Sequence, residues 1–226
     1  SFRPMYYLSL SAYDNGVKSY QAFSAAVEKF NNSGSTLRRI YVNCMSKQID
    51  KNTSQDYFAC VDSLSARIDD SRNVSAVKSD LLLRSVLYSA LQNYDAAISD
   101  LTTYISIDSI SPLGYWQRAF CLSKMNEFNA SGGTDVRIAS ERAMSDMNHA
   151  ISLDADNPYL YYCRGNMYAV GKLYDKAIAD YSEAIRLDSN LAEAYYNRGL
   201  AYINMKKISA GIVDLSKAGE LCFYYS

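Results

Sequence analysis

Residues 161 to 181, YYCRGNMYAVGKLYDKAIADY, and residues 195 to 215, YYNRGLAYINMKKISAGIVDL, carry the same residue types at a recurring set of positions 34 apart. Tyr161 pairs with Tyr195, Arg164 with Arg198, Gly165 with Gly199, Tyr168 with Tyr202, Ala177 with Gly211, Asp180 with Asp214 and Ala184 with Ala218. This is repetition of a unit rather than an effect of composition. The same frame takes in Leu81, Arg84, Ser85, Tyr88, Ala97, Asp100 and Leu101, and then Tyr115, Arg118, Ala119, Leu122, Ala143, Asp146, Met147 and Ala150. Arg84 to Arg118 is again 34 residues, whereas Arg118 to Arg164 is 46, so the unit between them carries a 12-residue insertion, Asn129 to Ser140.

Within each unit the apolar spacing is helical. Tyr161, Gly165 and Tyr168, and then Ala177, Tyr181 and Ala184, recur at steps of three and four, which places each set on one helix face. Each unit therefore reads as two helices. Connectors such as VGKLYD and DSNLAE, with Gly171 or with Asp188, Ser189 and Asn190, stop one helix and start the next. Gly165, Gly199, Ala177 and Gly211 are small where two helix backbones must cross closely.

Composition bounds the function. The chain has 226 residues, 49% of them hydrophobic, enough to bury a real core. Its 23 Lys and Arg against 24 Asp and Glu leave no basic footprint for phosphate backbones, so a nucleic-acid partner is not expected. No apolar run approaches the roughly 20 residues of a membrane span. The chain starts at Ser1, as a processed or trimmed product would, so the compartment is either the cytoplasm or, if a signal sequence was removed, the bacterial periplasm or beyond. Cys44, Cys60, Cys121, Cys163 and Cys222 are odd in number, widely spaced and without metal-ligand spacing, and read as small buried hydrophobes.

The repeat resembles the tetratricopeptide repeat, whose 34-residue helix-turn-helix pattern runs aromatic-x2-Leu-Gly-x2-Tyr, then Ala-x3-Phe, then Pro. Tyr161, Gly165, Tyr168, Ala177 and Tyr181 match it, as do Tyr195, Gly199, Tyr202, Gly211 and Leu215. Arg replaces the Leu four times, and Ser109, Ala155 or Ser189 stands for the closing Pro. The implied fold is an all-α, right-handed superhelical solenoid of about five to six antiparallel helix pairs. Units are expected at 78–111, 112–157, 158–191 and 192–226, following degenerate helical repeats over 1–77, in one continuous domain. In that first part YDNGVKSYQAF and YFACVDSLSARI look like second helices, with NNSGS, DKNTSQ and DDSRN as polar breaks.

Catalytic constellations are explained away or absent. The single His149 sits on a second helix, on the side expected to face solvent, and no nucleophile pairs with it at a motif spacing. Ser75 and Lys78 have the spacing of a nucleophile pair, but Ser75 stands at a helix start and reads as an N-cap. Asn-x-Ser triplets at Asn31, Asn52, Asn73 and Asn129 fall in loop-like stretches that favour Asn and Ser for turn reasons. A row of four arginines would suit an acidic peptide. Each, however, comes with an aspartate in its own unit: Arg84 with Asp100, Arg118 with Asp146, Arg164 with Asp180 and Arg198 with Asp214. The spacing is 16 residues in three cases and 28 in the unit with the insertion, which favours structural ion pairs over a ligand track. The insertion reads as extra helical turns beginning at Thr134, and as the sharpest break in the repeat it is also a candidate decorated surface.

The resemblance implies a protein-interaction scaffold with no catalysis of its own, no cofactor and no metal. The family's concave wall comes from first helices, which here carry Leu82, Val86, Trp116 and Phe120, and then Tyr162, Asn166, Tyr196 and Leu200, joined by Leu113 and Tyr159. That wall is apolar and aromatic. The family's carboxylate clamp for chaperone tails needs two lysines, two asparagines and an arginine; Asn166 and Asn197 match, but Tyr162 stands at the first lysine's place. An apolar or aromatic segment is therefore the expected ligand. Two other readings stay open. The segment is the recruiting or regulatory arm of a larger enzyme or of an envelope or secretion assembly, or the chain assembles with itself through an exposed solenoid end, where LCFYYS, residues 221–226, is a poor polar cap.

Overall fold

Polar residues cut the chain into helices where a side chain can take up an orphan amide. Asn73 accepts from the amides of Ser75 and Ala76 at 3.0 and 3.4 Å, so it is Asn73 that caps the helix, and Ser75 lies in its first turn. Asn93 and Asn157 play the same part, the latter ahead of Pro158, whose missing N–H is not needed at a helix start. The computed structural model describes residues 51–128 and 134–224, and every regular element among them is an α-helix. Degenerate repeats expected before residue 51, and residues 129–133 of the insertion, lie outside the described residues.

The chain divides into two compact units, Ser1–Ala143 and Met144–Ser226. In the first, α1 (Lys51–Asp70) packs on α2 (Val74–Ala90), α2 on α3 (Tyr94–Ile107) and α3 on α4 (Pro112–Phe128). DKNTSQ, read from sequence as a break, is helical from Lys51 onward, because nothing in Asn52, Thr53 or Ser54 forbids a helix. α5 (Thr134–Leu153) begins at the helix start expected within the insertion and has 20 residues, against 14 in α3, its counterpart in the preceding pair. In the second unit α6 (Pro158–Val170) packs on α7 (Tyr174–Leu187), α7 on α8 (Ala192–Asn204) and α8 on α9 (Ile208–Tyr224), while α6 also meets α8.

Each of the three described turns from first to second helix has one residue in the left-handed region. Gln92, Lys172 and Lys206 supply it, with φ of 60°, 58° and 64°. The amide after each, on Asn93, Leu173 and Lys207, then reaches back to the carbonyl of Tyr88, Tyr168 and Tyr202 and closes the helix end. The sequence points to Gly171 as the stop, yet Gly171 keeps φ at −74° and its lysine neighbour takes the strained place.

Both units bury large residues, Leu64, Leu101, Trp116 and Leu122 in the first and Met147, Leu160 and Tyr181 in the second, all at most 2% exposed. The second also shows close helix approach. A Cβ on Gly211 would lie 2.8 Å from the carbonyl oxygen of Gly199, so α8 and α9 touch backbone to backbone. A Cβ on Gly165 would lie 2.7 Å from the Tyr181 ring. Ala177, Ala184 and Ala194 are wholly buried beside them, small enough to bring the helix axes together. Among the described residues no helix is long and apolar enough to cross a membrane.

Candidate functional site

The arginine of the first helix sets the geometry around it. Arg84 Nε and Nη2 donate to the two oxygens of Asp100 at 2.8 and 2.7 Å. Arg164 holds Asp180 in the same way at 2.8 and 2.7 Å, and Arg198 holds Asp214 at 2.7 and 2.8 Å. A planar guanidinium fork fits a carboxylate with two parallel bonds, and the aspartates lie at 5 to 6% exposure. These hydrogen bonds raise the arginine pKa values further, against burial, which pulls them down. Each guanidinium also lies over a tyrosine ring of its own helix, Tyr88, Tyr161 or Tyr195, at 5.8, 5.7 and 5.5 Å. Arg118 lies over Tyr115 in the first unit, and Asp146 is buried in the second.

The remaining nitrogen of each arginine faces backward. Nη1 of Arg84, Arg118, Arg164 and Arg198 donates to Ser65, Thr102, Asn148 and Ser182, at 2.8, 3.2, 2.9 and 3.0 Å. All four acceptors sit on the helix before the arginine's own. In the last three cases the acceptor is 16 residues upstream, the mirror of the 16 residues downstream to Asp180 and Asp214. Sequence reasoning missed these acceptors, since a serine, a threonine and an asparagine share no single letter.

The expected wall residues divide by burial. In the first unit Leu82, Leu113 and Trp116 are buried, Trp116 at 1%, and Val86 and Phe120 are half-buried. Buried side chains have no surface to offer a ligand, so their place is in packing, and the expected open wall narrows to the others. Gln117, next to Trp116, is buried too, with its Oε1 lacking a hydrogen bond. In the second unit Tyr162 is buried, Tyr159, Asn166 and Asn197 are half-buried, and Tyr196 and Leu200 are 51% and 38% exposed. Three of these groups are linked, with Tyr181 as a fourth member. Tyr181 Oη donates to Asn166 Oδ1 at 2.8 Å, and Asn197 Nδ2 donates to Asn166 Oδ1 at 2.9 Å and to Tyr162 Oη at 3.2 Å. This fixes both amides and leaves Asn166 Nδ2 and Asn197 Oδ1 without a bond to a described residue.

Other candidates lie elsewhere. His149 is exposed on α5. Cys60 and Cys121 are buried and Cys163 is half-buried, all as thiols rather than disulfides; burial pushes Cys121 up to about 11 against a hydrogen bond with Ser89. Among the described residues no three His, Cys, Asp or Glu side chains come together as a metal site.

Antiparallel helix pairs, stacked in register and exposing tyrosine, leucine and amide groups on their first helices, define a helical-repeat protein. Residues 172–206 match the family described as TPR repeat, and residues 81–110 and 192–222 match the one described as Tetratricopeptide repeat. At those residues the chain carries tetratricopeptide repeats, its fold is that of an all-α solenoid, and such repeats support a general role as a scaffold for protein–protein interaction. Repeats of this kind are typically non-catalytic. Solved structures agree in fold: the crystal structure of MamA, 23% identical, aligns with a TM-score of 0.58 over 80% of this chain and 95% of that one. MamA 41-end from Desulfovibrio magneticus RS-1, 14% identical, gives 0.58 over 83% and 96%. TTC0263, a thermophilic TPR protein in Thermus thermophilus, 18% identical, gives 0.60 over 79% and 90%. No curated protein matches the chain in sequence.

Proposed function

We propose that the second unit binds an extended segment of a partner protein across the first helices α6 and α8. The observation that carries this reading is the exposed pair Tyr196 and Leu200, one turn apart on α8, beside the tethered amides of Asn166 and Asn197. Tyrosine and leucine offer apolar area to a ligand side chain. The unclaimed Asn166 Nδ2 and Asn197 Oδ1 are a donor and an acceptor, as a peptide backbone requires. No lysine stands at the place of Tyr162, so an acidic C-terminus has no cation there to pair with. The three bidentate Arg–Asp pairs are read as structural, because their charges are already matched within the unit.

Binding of the full chain to an array of ten-residue peptides tests this. Peptides with apolar or aromatic residues should bind, and acidic C-terminal peptides should not. Tyr196→Ala should weaken binding by about 2 kcal/mol with helicity unchanged, as for an anchor at an interface. Full-strength binding by both Tyr196→Ala and Leu200→Ala, or a preference for acidic tails, would overturn the reading.

A further inference from the structure

The turns of the second unit divide by charge. Helices of 13 or 14 residues, roughly 20 Å long, run up and down through α6, α7 and α8 before α9 returns, so the α6–α7 and α8–α9 turns fall at one end and the α7–α8 turn at the other. The first end carries Lys172, Lys176, Lys206 and Lys207, all exposed, against one acid, Asp175. Val170 and Leu173 stand on either side of Lys172 in the chain, 67% and 50% exposed. The other end is acidic: Asp154 and Asp156 precede α6, Asp188 and Glu193 flank the α7–α8 turn, and Arg186 is tied to Glu183 at 2.7 Å. The exposure of the α6–α7 turn does not depend on where the array stops, since α8 and α9 follow it and leave it open. Lys172 and Lys206 also hold the left-handed place, with φ of 58° and 64°, where glycine is the easier residue and where the first unit has Gln92 at 60°. The turn geometry therefore does not call for lysine.

We propose that this end of the second unit seats on an anionic bilayer surface, with Val170 and Leu173 entering the headgroup boundary and the four lysines facing lipid phosphates. The occupant follows from charge and shape together. The whole chain stands at a formal charge of -1, so attraction to an anionic surface needs the lysines gathered at one end and the acids at the other, as they are. Val170 and Leu173 stand at a turn between helices rather than along a helix face. A bilayer, which admits a protruding apolar tip beside lysines, suits them better than an extended peptide does. No residue of the α6 and α8 peptide face is used, so the two readings stand or fall apart.

Co-sedimentation of the full chain with extruded vesicles is the test. Vesicles of phosphatidylcholine containing about 30% phosphatidylglycerol should bind the chain at least about tenfold better than pure phosphatidylcholine, and the difference should shrink as salt is raised. Lys172→Gln combined with Lys206→Gln installs the side chain that Gln92 already places in that backbone, so the turns are kept. It should weaken binding about 25-fold, roughly fivefold for each charge removed near the surface. Leu173→Ser should weaken it about threefold with every lysine in place. Circular dichroism checks that the variants keep their helicity, as exposed sites allow. Absence of binding to the anionic vesicles, equal binding to neutral ones, or binding indifferent to the lysine pair would overturn the proposal. So would parental binding by Leu173→Ser together with full displacement of the vesicles by soluble poly-aspartate, since the occupant would then be an acidic protein segment.

Discussion

Tyr162 and Tyr196 stand at the same place of consecutive repeats, 34 residues apart, yet one is 4% exposed and the other 51%. The difference is not in the residue. α8 lies beside α6 and sends Asn197 to the hydroxyl of Tyr162, whereas Tyr196 is on the last first helix among the described residues. The second helices repeat the lesson, with Ile178 half-buried on α7 and Ile212 at 56% on α9. A place in the repeat fixes the direction in which a side chain points. Its neighbour along the array decides whether that side chain is core or surface, as nearest-neighbour packing in a stacked repeat requires.

Truncation at buried and exposed members of one register is the strongest way to break this contrast. Trp116→Ala should lower unfolding free energy by about 4 kcal/mol, the range for a large aromatic removed from a core, with Tyr196→Ala within about 0.5 kcal/mol. Denaturant titrations that give similar losses for the two would refute it. The arginines should show the opposite behaviour, since their geometry is the same in both units. Arg84→Ala and Arg164→Ala should each lose about 3 kcal/mol by leaving a buried aspartate unpaired, and Arg164→Leu with Asp180→Leu should lose much less. Equal losses in the single and double variants would mean that the charge pairing is incidental.

A pH effect belongs to the first unit. Burial raises the pKa of Asp80 above the ordinary aspartate value, only partly countered by Arg67 at 2.9 Å. The folded state therefore holds this proton more tightly than the unfolded chain does. The contribution is fully present below the unfolded pKa and is lost as pH rises through the folded one. Asp80→Asn should melt a few degrees higher than the parent at neutral pH, with the gap closing in acid. A gap that widens in acid would reverse the assignment. The smallest effect concerns the turns: Lys206→Gly should gain about 0.7 kcal/mol by relieving a left-handed side chain, while Gly171→Ala, at a φ of −74°, should lose no such backbone freedom.

Helix pairs, their small crossing residues and the Arg84, Arg164 and Arg198 partners could be read from sequence because each repeats at a fixed interval. The cap at Asn73, two residues before Ser75, could not, because both residue types cap helices and only the backbone course selects one. The burial of Trp116 and the opening at Tyr196 were equally hidden, for one register letter covers both. The site is legible only in part for the same reason: Asn166 and Asn197 can be named from a pattern, but the hydrogen bonds that orient their amides join three helices.

The two-sided arginine has a consequence for how such a chain can grow. Its inward grip is a carboxylate of its own helix pair at Arg84, Arg164 and Arg198, so a copied unit of this kind carries its whole charge pair with it. Its outward grip is permissive and accepts Ser65, Thr102, Asn148 or Ser182 alike. A duplicated unit inserted next to any of these helices would find an oxygen to bind without a matching change in its new neighbour. Duplication and loss of single units are then tolerated by the same atoms that hold the existing ones in line, and the array's length is free to drift while its pitch is held.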